Sequence, residues 1–131
     1  MISEITFQHF FVETASKIEP YMYKMLNPYT MKFFKADTVY FAAVTVGDKE
    51  IEVTCTVGTG ITGFREFVKS CKAVGIEILR FGCSEHNKTV QTIYRYAGAV
   101  KTGETKNYYS NGDSSYGYEL NIKESKRLKN L

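Results

Sequence analysis

The sequence predicts a domain of the α/β class (mixed α+β), with a central mixed sheet and helices on both faces. Two observations carry this prediction. The spacing of apolar residues switches repeatedly between a period of two and a period near 3.6 along the chain, so strands and helices alternate. Two amphipathic helices enclose one apolar strand, and a further hairpin pattern follows them. At 131 residues the chain is long enough for one hydrophobic core, so we expect a single domain over 1–131.

The first third of the chain predicts a strand followed by two helices. Ile2 to Phe7 alternates in the manner of a short strand, and about Gln8 to Ile18 has helical spacing. Pro20 opens a second short helix, where its missing N–H costs nothing. Asn27-Pro28 ends that helix, because a residue before proline avoids helical angles.

Three antiparallel strands are predicted next. Met31–Ala36 is followed by Val39–Val46, and the turn Gly47-Asp48-Lys49 leads into Glu50–Val57. The last strand alternates along its whole length. We therefore expect one face to carry Ile51, Val53, Cys55 and Val57, and the other to carry Glu50, Glu52, Thr54 and Thr56.

The second half of the chain predicts helix, strand, helix and hairpin. Apolar residues from Phe64 to Val74 have helical spacing, and Gly75 is the expected C-terminal cap. A strand over Ile76–Phe81 leads to a second amphipathic helix that ends at Gly98. The remainder, Val100–Ile122, is a hairpin that turns near Asn111-Gly112, and its alternating inward residues are Tyr116, Tyr118, Leu120 and Ile122.

Composition excludes several classes of protein. The net charge of +3 is small and the lysines are scattered, which argues against a nucleic-acid partner. No apolar run approaches membrane-spanning length, so no membrane partner is expected. Three cysteines without a CxxC pair and only two histidines predict no metal site and indicate reduced thiols in a cytosol, bacterial or of an infected host. A loose basic tail is expected over 123–131.

A glycine-rich loop joins the third antiparallel strand to the first amphipathic helix. Backbone N–H groups at a helix N-terminus attract anions, and glycines let a phosphate approach the backbone. Gly58–Gly63 is therefore a candidate pyrophosphate cradle, although glycines serve plain tight turns as well. No Gly-Lys-Ser/Thr follows, so it is not a P-loop, and the spacing does not fit a dinucleotide fingerprint.

The segment 87–99 resembles a signature of the GCN5-related N-acetyltransferase (GNAT) superfamily. That signature places an Asn before a small apolar residue, an apolar-Tyr pair and a Gly, and the residues in register are Asn87, Val90, Ile93, Tyr94, Ala97 and Gly98. The glycine loop lies where the family keeps its coenzyme A loop. The resemblance covers roughly residues 50 to 122, and the first third matches by element order alone.

The resemblance implies an N-acetyltransferase that moves an acetyl group from acetyl-CoA, without a metal, to an amine acceptor that is a small molecule or a protein. Tyr94 would protonate the departing thiolate, and Glu52 or Glu50 would act as the base. Each of these residues also has a plainer interpretation, as a core aromatic or as solvent-facing strand residues. The implied cofactor-binding residues are Thr56, Val57, Gly58, Thr59, Gly60, Ile61, Thr62, Gly63 and Asn87.

The sequence departs from the family at the loop-opening position, where Cys55 replaces a Gln or basic residue, and at Ala99, where Phe is usual. Two alternatives therefore stay open. One is a catalytically inactive GNAT-like domain that binds a partner or serves as a structural protein, viral or phage included. The other is an unrelated anion-binding α/β module. The tyrosines of the last hairpin could line an acceptor pocket or a homodimer contact.

Overall fold

The structure, a computed structural model, describes residues 2–18 and 20–123. Its helices are α1 (Phe7–Thr14), α2 (Pro20–Tyr23), α3 (Ile61–Ala73) and α4 (Lys88–Tyr96). Its strands are β1 (Ile2–Ile5), β2 (Lys32–Ala36), β3 (Val39–Gly47), β4 (Glu50–Val57), β5 (Ile78–Ser84), β6 (Val100–Thr105) and β7 (Ser115–Asn121).

All these strands form one sheet in the order β1-β2-β3-β4-β5-β7-β6. Neighbouring strands run antiparallel except β4 and β5, which are parallel and are joined through α3. The predicted mixed sheet is therefore confirmed. The parallel pair lies at the centre of the sheet.

Each face of the sheet carries its own apolar cluster. Under α3 and α4, the Phe41 ring stacks on Phe67 at 4.2 Å and the Phe81 ring stacks on Tyr94 at 4.5 Å. On the opposite face, Phe10 of α1 packs against Phe33. The helices thus cover both faces, as the sequence predicts. None of them, in the described part of the chain, has the length and apolar character that a membrane crossing requires.

A β-bulge at Thr54 interrupts the alternation of β4. Ala42 of β3 lies opposite Cys55, whereas the next residue, Ala43, lies opposite Val53. Thr54 is the extra residue, and side chains before and after it change faces. Val53 packs under α3 and α4, while Cys55 and Val57 join the cluster under α1 and α2. The expectation of one unbroken apolar face along this strand is therefore wrong.

The order of the elements agrees with the sequence prediction, but several boundaries differ. Helix α2 ends at Tyr23, before Asn27, and β5 spans Ile78–Ser84 instead of Ile76–Phe81. Helix α1 ends at Thr14 instead of Ile18, and the chain continues in a turn in which Lys17 N–H donates to the Thr14 carbonyl. Helix α3 begins at Ile61, before Phe64, so Gly63 lies within its first turn. Gly75 and Gly98 follow the ends of α3 and α4 with positive φ, as expected of C-terminal caps. Of the predicted basic tail, 124–131 lies outside the described residues.

Candidate active site

The two parallel strands at the centre of the sheet separate towards their carboxyl ends. β4 pairs with β5 from Glu50 opposite Ile78 to Val53 opposite Phe81, and in the described residues the pairing goes no further. The separation begins at the Thr54 bulge, which bends the strand. β5 meanwhile stays paired with β7 as far as Ser84. The last four residues of β4 therefore present an unpaired backbone edge towards β5.

A cavity of ≈ 630 Å³ fills the gap. Its walls come from the ends of β4 and β5, the segment between α1 and α2, the start of α4 and the β6–β7 connection. Polar groups enter it from several elements, which is typical of a ligand site at the ends of parallel strands. The lining residues are Lys17, Ile18, Met22, Cys55, Thr56, Val57, Gly58, Thr59, Gly82, Cys83, Ser84, His86, Asn87, Thr89, Val90, Asn111 and Asp113.

The glycine loop lies at one end of this cavity, but packing also accounts for its glycines. A Cβ on Gly63 would lie 2.1 Å from the Ala36 carbonyl oxygen, and one on Gly58 would lie 2.9 Å from the Thr38 carbonyl oxygen. Gly58 also has φ +109°, which favours glycine. Of the predicted cradle, Gly58 and Thr59 line the cavity, whereas the buried Gly63 faces the β2–β3 turn.

The N-terminus of α3 follows directly and has no side-chain cap. Thr6 caps α1 and Asn87 caps α4, each by accepting a backbone N–H, whereas Gly60 at the start of α3 offers no side chain. The first-turn residues Ile61 and Thr62 are exposed, and the first turn holds no acidic residue. The first N–H groups of a helix have no partner within it, so this end favours an anion.

Asn87 caps α4 and lies at the cavity wall. Its side-chain oxygen accepts the Val90 N–H at 3.2 Å and so caps α4, and the residue also lines the cavity. Val90 and Thr89 of the first turn of α4 are part of the lining.

Tyr94 lies behind the cavity wall. Its ring is fully buried among Phe64, Phe81 and Tyr118, and its hydroxyl donates to Thr56 Oγ1 at 2.9 Å. Burial raises the pKa of Tyr94 well above its ordinary value, and the hydrogen bond to Thr56 offsets this only in part. Thr56 itself lines the cavity. The phenol is therefore a neutral donor that reaches the cavity through one hydroxyl.

The two candidate bases on β4 do not line the cavity. Glu50 pairs with Arg80 of β5 at 3.4 Å, and Arg80 also contacts Glu119 of β7 at 2.6 Å. Glu52 is exposed on the paired half of the strand, before the bulge. The bulge therefore separates both carboxylates from Thr56, with which the unbroken alternation had grouped them.

Two cysteines line the cavity as neutral thiols. Burial raises the pKa of Cys55 to about 12 and that of Cys83 to about 11. Both are free of disulfides. A thiol that stays protonated is a poor nucleophile, so these residues shape the wall of the cavity.

Sequence analysis missed a polar group on the far wall. Ser84 ends β5, His86 lies in the loop that follows, and Asp113 comes from the β6–β7 connection. His86 Nε2 lies 3.6 Å from Asp113 Oδ1 and 3.7 Å from Glu85 Oε1. Within the described residues, these two carboxylates and the imidazole are the group whose side chains could hold a metal ion. No local sequence pattern predicts the cluster, since Asp113 is distant in sequence from the other members.

No protein-family model matches the sequence, and no curated protein matches it. Solved structures do match its fold. The ribosomal-protein-S18-alanine N-acetyltransferase from Escherichia coli has a TM-score of 0.70 at 14% identity, over 100% of this chain and 97% of that one. Ard1 from Thermoplasma volcanium has 0.67 at 15%, over 92% and 96%.

A third match carries the family name. A candidate acetyltransferase of the GNAT family from Desulfovibrio desulfuricans has a TM-score of 0.64 at 15% identity, over 92% of this chain and 98% of that one. The likeness extends over nearly the whole of both chains in all three cases. The chain therefore has the fold of the GCN5-related N-acetyltransferase superfamily.

Proposed function

We propose that the protein is an N-acetyltransferase that binds acetyl-CoA and transfers the acetyl group to an amine by direct attack. The observation that carries this proposal is the cavity between β4 and β5, which begins where their pairing stops at Val53 and Phe81 and ends beside the start of α3. The strand edge at one end suits the extended amide arm of an acyl carrier, and the helix start at the other end suits its diphosphate.

The unpaired edge of β4 would hold the pantetheine arm. From Thr54 to Val57 the backbone groups that face β5 have no partner on that strand. An extended ligand with amide groups can bind such an edge as an added strand would, through main-chain hydrogen bonds. The acetyl thioester would then lie beside Thr56, which faces the cavity at this edge.

The start of α3 would hold the pyrophosphate. Gly58 and Thr59 approach the cavity, and the exposed first turn of α3 contains Ile61 and Thr62. Backbone N–H groups and the helix dipole supply the positive potential there. The Gln or basic residue that usually opens this loop is Cys55 here, so backbone groups would carry more of the contact.

Thr56 and Tyr94 would together stabilise the departing thiolate through hydrogen bonds. Because Thr56 Oγ1 accepts the Tyr94 hydroxyl, the proton of the Thr56 hydroxyl is available to another acceptor. Thr56 lines the cavity, so a ligand bound there would be that acceptor. In this arrangement Thr56 touches the sulfur and Tyr94 holds the orientation of its hydroxyl. The buried phenol stays protonated and so keeps donating.

Two features bear on the acceptor. A partly apolar wall comes from Lys17 and Ile18, which follow α1, and from Met22 of α2. An E. coli structure with this fold is an N-acetyltransferase of ribosomal-protein-S18 alanine. We therefore place both small amines and a protein amine among the candidate acceptors, in the cytosol, where three reduced thiols would persist.

The test is binding followed by turnover. Acetyl-CoA should raise the Tm, because a ligand that binds the native state stabilises it by mass action. Release of the coenzyme A thiol in the presence of spermidine or an alanine-initiated peptide then measures transfer. A Salmonella typhimurium structure of this fold contains acetyl-CoA, so that protein is a suitable positive control. Binding without turnover on any amine would favour the partner-binding alternative, and no shift at millimolar acetyl-CoA would overturn the proposal.

A further inference from the structure

The cavity needs a proton acceptor for the incoming amine, and neither glutamate on β4 lines it. The far wall contains His86 and Asp113, and Glu85 lies beside them. The two loops that carry these residues follow β5 and precede β7, and those strands pair as far as Ser84 opposite Ser115. We propose that His86 is the general base of the acetyl transfer and that the acceptor enters as a primary ammonium. This inference rests on the proposed function and concerns the same cavity.

The backbone of His86 is held on both sides. Its N–H donates to Ser84 Oγ at 3.2 Å, and its carbonyl accepts the Lys88 N–H at 3.0 Å. The Ser84 hydroxyl in turn donates to Asp113 Oδ2 at 3.2 Å. The loop that carries the imidazole is therefore tied both to the start of α4 and to the β6–β7 connection.

The loop is fixed from below by a fully buried amide. Gln91 Nε2 donates to the carbonyls of Ser84 and Glu85 at 3.3 and 3.1 Å, and its Oε1 accepts from the Tyr118 hydroxyl at 3.2 Å. Glu85 also exchanges two hydrogen bonds with Ser114, through its backbone N–H and through Oε1. An exposed loop with this many buried anchors is preorganised, which suits a group that must stay in reach of a reacting atom.

The imidazole itself is the exposed part of this loop. Its side chain is 72% exposed, while its ring nitrogen lies within 3.7 Å of a carboxylate oxygen on each of Glu85 and Asp113. Asp113 Oδ2 is occupied by Ser84 and Asn111, and it is Oδ1 that faces the ring. These carboxylates would orient the ring and attract a cationic amine.

The ammonium gives one proton to His86, and the lone pair of the neutral amine attacks the thioester carbonyl carbon. The C–N bond forms and the C–S bond breaks, so the thiolate leaves with the electron pair. The second proton on nitrogen is transferred to that thiolate, with the hydroxyl of Thr56 as its neighbour, and protonated His86 then releases its proton to water. The products are an acetamide and free coenzyme A.

The test measures transfer to spermidine and to an alanine-initiated peptide against pH, together with the acetyl-CoA thermal shift. His86→Gln should lower kcat about 100-fold near neutral pH and leave the thermal shift unchanged. The loss should shrink as pH rises, because the amine then arrives already neutral. Added imidazole should restore part of the rate in His86→Ala. Other charged or titratable groups surround the site, so the full pH profiles of variant and wild type are compared at one ionic strength. These groups are Glu85, Asp113, Lys17, Lys88 and the buried thiol of Cys83.

The matched control is His9→Gln. His9 is the other histidine of the chain, and it pairs with Glu13 on α1 at 2.6 Å. It should keep the wild-type rate. Glu52→Gln is the competing arm: a loss of kcat there, with full activity in His86→Gln and no effect of imidazole, would overturn the assignment while leaving the acetyltransferase intact. If the wild type binds no acetyl-CoA or acetylates neither amine, both proposals fall.

Discussion

Tyr94 of α4 donates a hydrogen bond of 2.9 Å to Thr56 Oγ1 of β4, joining the helix beneath the cavity to the strand edge that lines it. The bond exists because the bulge at Thr54 turns Thr56 towards α4. Its partners are 38 residues apart in sequence.

Removing the phenol hydroxyl should separate catalysis from binding. Tyr94→Phe is expected to lower kcat about 100-fold, because Thr56 loses the donor that orients it, and to leave the acetyl-CoA thermal shift intact. The stability cost should be about 1 kcal/mol in urea denaturation.

Thr56→Val should lower kcat as well, and the double variant should lose little more, since the two hydroxyls act as a unit. Tyr29→Phe, at a side chain that is 93% exposed, is the control. Additive losses of kcat in the double variant would contradict the joint action of the two hydroxyls.

A negative charge in the first turn of α3 should oppose cofactor binding without harming the fold. Thr62→Asp places a carboxylate where the pyrophosphate is proposed, so the Kd for acetyl-CoA should rise about tenfold. Thr62→Asn has nearly the same shape and no charge, so its Kd should remain close to the wild type. The Tm without ligand should be equal or slightly higher in the Asp variant, because an acidic residue favours a helix N-terminus. Equal Kd values for the two variants would exclude the pyrophosphate from this end.

Asp37 is an unfavourable charge beside the proposed cradle. It occupies the β2–β3 turn with φ 55°, and its Oδ2 lies 3.9 Å from where a Cβ on Gly60 would be. Asp37→Asn preserves the turn, since Asn tolerates this conformation, and removes the charge. The affinity for acetyl-CoA should increase about threefold at low salt and less at high salt. Asp48→Asn, in the exposed turn before β4, should change nothing in the same titration.

Gly63 should be required for folding whether or not a cofactor binds. Its Cβ would lie 2.1 Å from the Ala36 carbonyl oxygen and 2.8 Å from Val39 Cγ2, so α3 would have to move away from the sheet. Gly63→Ala is expected to cost about 3 kcal/mol in the free energy of unfolding. Gly103→Ala, on the exposed strand β6 with open space around it, should be neutral. Comparable losses in both variants would show that close packing at Gly63 is not the cause.

The buried thiols should make the protein less stable in alkali. Burial raises the pKa of Cys55 from 9.0 to about 12, so its contribution to stability is complete below pH 9. Above pH 9 the thiol ionises in the unfolded chain but not in the folded one. The free energy of unfolding therefore falls by up to about 1.4 kcal/mol per pH unit. Urea denaturation from pH 8 to 10.5 should therefore show a shallower loss for Cys55→Ala than for the wild type. Parallel curves would mean that the folded thiol ionises normally.

Local patterns determined most of the secondary structure, and the reason is physical. The alternation of Glu50–Val57, the helical spacing after the glycine loop and the caps at Gly75 and Gly98 depend on residues within one or two turns of each other. The signature around Asn87 and Tyr94 likewise lies on one helix. It led to the acyltransferase fold that the solved structures confirm.

The details of the cavity depended on partners from elsewhere in the chain. Ile51, Val53, Cys55 and Val57 alternate without a break, and only the pairing with Ala42 and Ala43 reveals the bulge that moves Thr56 to the side of Tyr94. The same change leaves Glu52 outside the cavity wall. Gly63 appeared to be a ligand-binding glycine, and contact with Ala36 gives it a packing reason.

The sequence by itself determined the order and type of the elements and the mixed sheet, because periodicity, capping and turn chemistry act over short distances. Only the tertiary structure decided which side chains share the cavity. His86 and Asp113 lie 27 positions apart and meet because β7 inserts between β5 and β6. Strand order and register arise from burying apolar area over the whole chain, and no short segment encodes them.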